Sequence, residues 1–195
     1  RQHKLTLFSL DFDRLLTTTS NFEKIMAENP ALYVSMRNQF IPAMSYTYTY
    51  QSPSTRRDAW WMQFHVKEAG HVTSLIYAAA GKSLSRRDKE LFGNPFAQFV
   101  KFTAEHRRTF RLNQSLSLAS RVFAGVVCSY GNSQAAPYAE QFYVGGANSI
   151  RAFTVRSIGP GSYKPSSSRY SYMDQTGDVR LEANVELRAR LIGDL

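Results

Sequence analysis

Residues 178–191 read DVRLEANVELRARL, and the placement of the charges in this stretch decides the fold class. Val179, Leu181, Ala183, Val185, Leu187, Ala189 and Leu191 take every second position. Asp178, Arg180, Glu182, Asn184, Glu186, Arg188 and Arg190 take the positions between them. A β-strand turns successive side chains to opposite faces, so the segment carries one wholly apolar and one strongly charged surface. On a helix the same charges would spread around the circumference. A soluble sandwich strand can alternate too, but this length and charge density fit a lipid-facing wall backed by a wet lumen.

The pattern recurs outward from that strand. Leu116, Leu118, Val122, Ala124 and Val126 oppose Ser115, Ser117, Ala119, Arg121 and Gly125. Phe96, Val100, Phe102 and Ala104 oppose Phe99, Lys101, Thr103 and Glu105, with Gln98 the exception on the apolar side. Trp60, Met62, Phe64 and Val66 oppose Trp61, Gln63, His65 and Lys67, and Tyr46, Tyr48 and Tyr50 alternate with Ser45, Thr47, Thr49 and Gln51. In the first strand the parity changes between Leu5 and Leu7 on one side and Phe8, Leu10 and Phe12 on the other, which a β-bulge reconciles. These runs reach the roughly 9–11 residues that a tilted strand needs to cross a bilayer. The expected fold is all-β, an antiparallel transmembrane β-barrel of which this chain supplies about six strands.

The connections alternate in length. Short ones fall near residues 53–57 and 107–113, and long ones cover about 13–39, 69–94 and 131–177. Outer-membrane barrels have short periplasmic turns and longer extracellular loops, which assigns a side to each. The first long loop is expected to hold a helix over residues 21–28, capped by Ser20 and ended before Pro30. Tyrosines and tryptophans near strand ends suit an interfacial girdle.

Composition agrees with this reading and excludes others. No run approaches 18 apolar residues, so no transmembrane helix is expected, and alternating strands average to the mean hydropathy of −0.35. The net charge of +9 is spread over strands, turns and loops, with short clusters at Arg56-Arg57, Arg86-Arg87 and His106-Arg107-Arg108. A polar lumen and solvated turns account for it, and no nucleic-acid partner is expected. The single cysteine, Cys128, reads as a small apolar residue at a strand end. His3, His65, His71 and His106 lack a metal-ligand spacing, no G-x-S-x-G elbow appears, and Gly145-Gly146 is not followed by a phosphate-loop lysine. No catalytic residue, metal or cofactor is expected.

The third long loop contains Tyr138-Ala139-Glu140-Gln141-Phe142-Tyr143-Val144-Gly145-Gly146-Ala147-Asn148-Ser149-Ile150-Arg151-Ala152-Phe153. This segment resembles the Phe-Tyr-x-Gly-Gly-x-x-Ser-hydrophobic-Arg-Gly-Phe signature in the longest barrel loop of the BamA/TamA superfamily of outer-membrane assembly factors. The strand with Gly177-Asp178 and Asn184-Val185-Glu186-Leu187 is similar to the one that follows this loop in that family, and residues 118–125 are similar to the strand before it. The first half of the chain matches more loosely, in the style of TamA-like proteins.

The resemblance implies a sixteen-stranded barrel in the bacterial outer membrane, with this chain covering about strands seven to twelve. Residues 1–195 would form part of one C-terminal barrel domain, with periplasmic POTRA domains and the remaining strands outside this chain. Both chain ends look cut, in keeping with a fragment. The implied function is inserting and folding barrel proteins or helping substrates across the outer membrane. The implied partners are outer-membrane lipids, client barrel proteins and periplasmic assembly or translocation proteins. A passive pore, or the barrel anchor of a lipase-type enzyme, is the competing expectation.

The family loop folds back into the lumen and its arginine pairs with inner-wall acids. Here the motif residues are Gly145, Gly146, Ile150, Arg151, Ala152 and Phe153, and the matching wall partner is Glu186, which parity places on the charged face. Glu182 shares that face about 13 Å along the strand and reads as a lumen-lining charge. Ala152 stands where the family has glycine; if that position needs positive φ, alanine costs about 1 kcal/mol.

Overall fold

A computed structural model of the chain describes residues 1–13, 17, 19–28, 39–53, 57–81, 83, 89–91, 93–162 and 175–190. Pro30, the turn residues 54–56, the cluster at 86–87 and the strand end at 191–195 lie outside them.

In chain order the elements are β1 (Gln2–Asp13), α1 (Ser20–Glu28), β2 (Gln39–Gln51), β3 (Asp58–Ala69), α2 (His71–Ala79), β4 (Glu90–Leu91), β5 (Asn94–Pro95), β6 (Phe99–Arg111), β7 (Leu116–Ser129) and β8 (Val179–Ala189). Six of these strands form one antiparallel sheet in the order β1-β2-β3-β6-β7-β8, and β4-β5 is a separate small hairpin. Each sheet strand pairs with its neighbours along the chain, so the sheet is an up-and-down meander with two open edges. The fold is all-β and antiparallel, as an incomplete barrel wall must be.

One face of the sheet is bare. Leu118, Val122, Val126, Val179, Leu181, Val185 and Leu187 stand exposed on it, as do Tyr46, Phe64, Val66 and Phe102. Exposed aliphatic rows of this extent are untenable in water and require lipid. The parity change in β1 is a bulge: the register shifts between Thr6 and Ser9, leaving Leu7 and Phe8 opposite one position of β2. Leu5, Leu7, Phe8, Leu10 and Phe12 all reach the bare face as a result.

The opposite face carries the core at the long-loop end. Ile41, Ala43, Ala69, Phe99 and Val127 form a buried row across four strands, topped by Ala136 and Phe142 from the loop after β7. Small alanines in that row leave the room that the loop occupies.

Four details depart from the sequence expectations. Phe96 is not on the lipid side; it sits before β6, buried, in a bridge with Phe40. Gln98, the parity exception, is also outside the strand, and its side-chain oxygen accepts from Asn132 N at 2.8 Å while its amide donates to Ser74 Oγ at 2.8 Å. The turn after β6 lies later than expected, because β6 runs through Arg111 and residues 112–115 reverse the chain. Asn113 makes this possible: its side-chain oxygen accepts from Ser115 N at 2.8 Å, closing a short Asx-type turn. Ser20 is inside α1, and the cap is Thr19, whose hydroxyl accepts from Phe22 N at 3.4 Å.

The sequence reading also passed over α2. It starts at Gly70, whose φ of 94° closes the chain sharply after β3; a Cβ there would lie 2.6 Å from Gln98 Cγ. Glu68, at the end of β3, accepts from His71 N at 2.7 Å and so supplies the carboxylate that the helix start favours. Cys128 is exposed one residue before the end of β7.

Candidate functional site: the loop docked on the inner wall

The loop between β7 and β8 lies against the charged face of the sheet and is held there at three levels. Deepest is the 3-10 turn Tyr138–Glu140, which drops Glu140 between two strands. Lys67 of β3 and Lys101 of β6 are direct cross-strand partners on this face. Two like charges so placed repel unless something neutralises them. Glu140 does so, accepting from Lys67 Nζ at 2.5 Å and Lys101 Nζ at 3.1 Å. Asp11 of β1 adds a second carboxylate 3.5 Å from Lys67. Burial alone would raise the Glu140 carboxyl, but the two ammonium groups outweigh it and hold it below the ordinary carboxylate value.

Beside Glu140, Phe142 fills the core. Its ring packs edge-on against Phe123, with 6.1 Å between centroids, and lies under Lys101 Nζ at 4.9 Å. Gly125 makes the space: a Cβ at that position would fall 2.6 Å from Phe142 Cζ. The backbone of Phe142 exchanges both hydrogen bonds with Gly177, at 2.9 and 2.8 Å, which clips the start of the loop to its end.

The middle level is the motif itself. Gly145 and Gly146 take φ of 97° and 86°, and the chain doubles back so that Gly146 N donates to Phe153 O and Arg156 N to Val144 O, both at 2.9 Å. A Cβ on Gly145 would sit 2.2 Å from Thr154 O, so both the dihedral and the space exclude other residues. Ser149 then donates to Glu182 at 2.7 Å. Glu182 also takes Arg121 Nη1 at 2.6 Å and Arg180 Nη2 at 2.5 Å, and its side chain is only 8% exposed. Arg121 extends the network both ways, donating to Glu105 at 2.6 Å and to the loop carbonyl of Asn148 at 3.1 Å. Three strands and the loop therefore share one chain of charge-assisted bonds.

The outermost level is Arg151. Its Nη2 donates to Glu186 Oε1 at 3.3 Å and its Nε to Ala147 O at 3.3 Å. The pair is wet, with side-chain exposures of 76% and 43%, and Glu186 also accepts from Arg188 at 2.9 Å. Ile150 and Phe153 are exposed. Ala152 has no positive φ; among the described residues of this loop the left-handed non-glycine residue is Arg156, at φ 61°. Arg156 lies 4.5 Å from the Tyr138 ring and 4.6 Å from the Tyr143 ring, and Gln175 N donates to its carbonyl at 3.0 Å.

Residues 87–194, more than half of the chain, match the Omp85 superfamily domain. The chain belongs to the Omp85 superfamily. Over 95 residues, or 48% of its length, it is 29% identical to the outer membrane protein assembly factor BamA of Neisseria meningitidis serogroup B, of which it covers 12%. The chain thus spans a small part of the curated relative it matches. Membership in the Omp85 superfamily places it in the bacterial outer membrane and identifies the bare face as the lipid side. The match covers β6, β7, the loop and β8; β1 to β3 continue the same sheet in unbroken antiparallel pairing with β6.

Several site residues of this Omp85 chain were not marked by the sequence reading: Glu140, Lys67, Lys101, Arg121, Ser149 and Arg156. A signal did exist for two of them. Lys67 and Lys101 both have inward parity on strands adjacent in the sheet, and where the register sets them opposite, the like charges demand a carboxylate from elsewhere.

Proposed function

We propose that this chain is the wall and inward loop of an outer-membrane barrel that inserts and folds client barrel proteins, or passes substrates across the outer membrane. The observation that carries the reading is that the Gly145-Gly146…Ser149…Arg151 segment is tied to the inner wall through Glu182 and Glu186 instead of standing out at a loop tip. A loop so held fills the lumen, which an open diffusion pore would leave clear. Its bonds are individually modest, so docked and undocked states differ by an amount that a client or partner can supply. The barrel works by binding and shape, with no bond chemistry, metal or cofactor. Its partners are outer-membrane lipids, unfolded barrel clients and periplasmic assembly proteins.

The test is a double-mutant cycle in the full-length protein. Arg151→Ala, Glu186→Ala and the pair are scored for client insertion and for heat-modifiable migration of the barrel. Client insertion should fall more than barrel formation, with the double variant little worse than either single one. Full client insertion in all three variants would remove the lock from the mechanism.

A further inference from the structure

Helix α2 is amphipathic in the wrong sense for a loop in water. Thr73 and Tyr77 are buried, whereas Val72, Leu75 and Ile76 are 46%, 66% and 55% exposed. A helix on a wet surface turns its polar side outward, and three aliphatic side chains on the outer side mark a helix against an apolar medium.

The helix does not stand alone. Between it and the β1-β2 end of the sheet runs a groove of about 250 Å³, walled by Leu7, Phe8, Leu10, Phe40, Val72 and Ile76. Leu7, Phe8 and Leu10 are exposed on the bare, lipid-facing side, so groove and barrel wall form one uninterrupted apolar surface. The β1 bulge matters here, since it sets Leu7 and Phe8 side by side toward the groove instead of on opposite faces.

The helix is fixed, not merely adjacent. Glu68 holds its first turn through His71 N, and Tyr130 donates to the same carboxylate oxygen at 2.9 Å. Burial, then the hydrogen bond to Glu68, push the Tyr130 phenol above its ordinary value, so it remains a donor. In the same first turn, Ser74 Oγ donates to Gly70 O at 2.6 Å and accepts from Gln98 Nε2. A groove with a rigid far wall keeps its shape when empty, which lowers the ordering cost of filling it.

We propose that α2 lies in the membrane interface at the long-loop end of the barrel and that the groove beside it seats an acyl chain of the surrounding bilayer. Continuity with the lipid-facing wall selects this occupant. The cleft opens where hydrocarbon already is, and its lining is almost entirely apolar. A polar or charged ligand would find Glu68, already paired, and Thr73, already buried.

The experiment uses the full-length protein with Cys128→Ser, refolded into phosphatidylethanolamine/phosphatidylglycerol vesicles. Single cysteines at Ile76, at Leu181 on the barrel wall and at Gln114 in a short turn carry an environment-sensitive fluorophore. Quenching by doxyl-labelled lipid at Ile76 should come within about twofold of that at Leu181, with iodide quenching far below that at Gln114. Strong iodide quenching at Ile76 would overturn the proposal, placing α2 in water. Silence to both quenchers would overturn it equally, because protein would then cover the groove. Leu75, further from the strands, serves as the label site if the Ile76 variant fails to fold. A loss of lipid quenching at Leu181 would instead contradict the lipid-facing assignment of the whole wall, which separates that failure from failure of the groove.

Discussion

Glu182 and Glu186 stand on the same face of β8, four residues apart, and both receive a bond from the same loop. They do different work. Glu182 is nearly dry and collects three partners, two guanidinium groups and the Ser149 hydroxyl. Glu186 is half in solvent and meets Arg151 at the long end of hydrogen-bond range. Exposed ion pairs are screened and contribute about 0–1 kcal/mol, whereas removing one partner of a desolvated network strands the others. The motif arginine is thus the adjustable contact, and the position of the loop is set by Glu182 and, deeper still, by Glu140.

The comparison breaks first at Glu182. Glu182→Ala removes the acceptor of Ser149 and leaves Arg180 and one arm of Arg121 without their carboxylate; loss of the charge-assisted loop bond should weaken docking by up to about 3 kcal/mol. Nitroxide pairs between Ile150 and the wall, measured by pulsed electron resonance in the full-length barrel, should show a broadened, longer distance. Heat-modifiable migration should survive, because the register of the sheet does not depend on this side chain. An unchanged distance would show that Glu140 and Phe142 suffice.

Glu140 comes next and can be tested by pH. Its carboxyl is held below the ordinary value of 4.5 in the docked loop, so the docked state binds fewer protons than the undocked one. Docking support from this group is therefore complete above that ordinary value and is lost as pH falls through the lower docked value. Glu140→Gln should remove this part of the acid response while weakening docking at neutral pH by about 2 kcal/mol, since both ammonium groups lose their counter-charge and one of them faces an amide NH2 in place of an acceptor oxygen. The same nitroxide distance followed from pH 7 downward reads both effects. Asp11, 3.5 Å from Lys67, is still present in this variant as a second carboxylate. Docking that strengthened on acidification would contradict the sign.

What was legible in the sequence follows from what is local. Strand faces repeat every two residues, so Val185 and Glu186 declared their sides without any tertiary information, and even the β1 bulge could be read from a parity slip. Arg151 and Glu186 were legible through a family signature. Glu140 was not, because its role exists only once Lys67 and Lys101 are brought opposite each other and the loop reaches back over some 40 residues of chain to Lys101. Helix α2 hid for a related reason: its polar-looking positions Thr73 and Ser74 face protein and its aliphatic ones face outward, which inverts the pattern expected of a wet loop.

Arg151→Ala sharpens the contrast from the weak side. Loss of a wet pair should cost docking at most about 1 kcal/mol, and raising salt should shrink even that difference. The matched measurement is the docked fraction of Arg151→Ala and of Glu182→Ala at low and high ionic strength. A salt-insensitive Arg151 effect larger than that of Glu182 would reverse the ranking of the two anchors.

The smallest effect concerns Ala152, where the family pattern has glycine. If alanine were strained in the docked loop, restoring glycine would tighten docking. The structure assigns no positive φ to Ala152; within residues 142–157 positive φ occurs at Gly145, Gly146 and Arg156. Glycine has nothing to relieve, and it widens the conformational freedom of the undocked loop, which costs about 0.5 kcal/mol of docking. Ala152→Gly should therefore leave the docked distance unchanged and lower the docked fraction slightly, a shift best seen in the Arg151→Ala background, where the two states are closer to balance. A rise in docked fraction would mean that the alanine is strained. The two glycines at 145 and 146 would then not be the whole of what lets this loop turn back on itself.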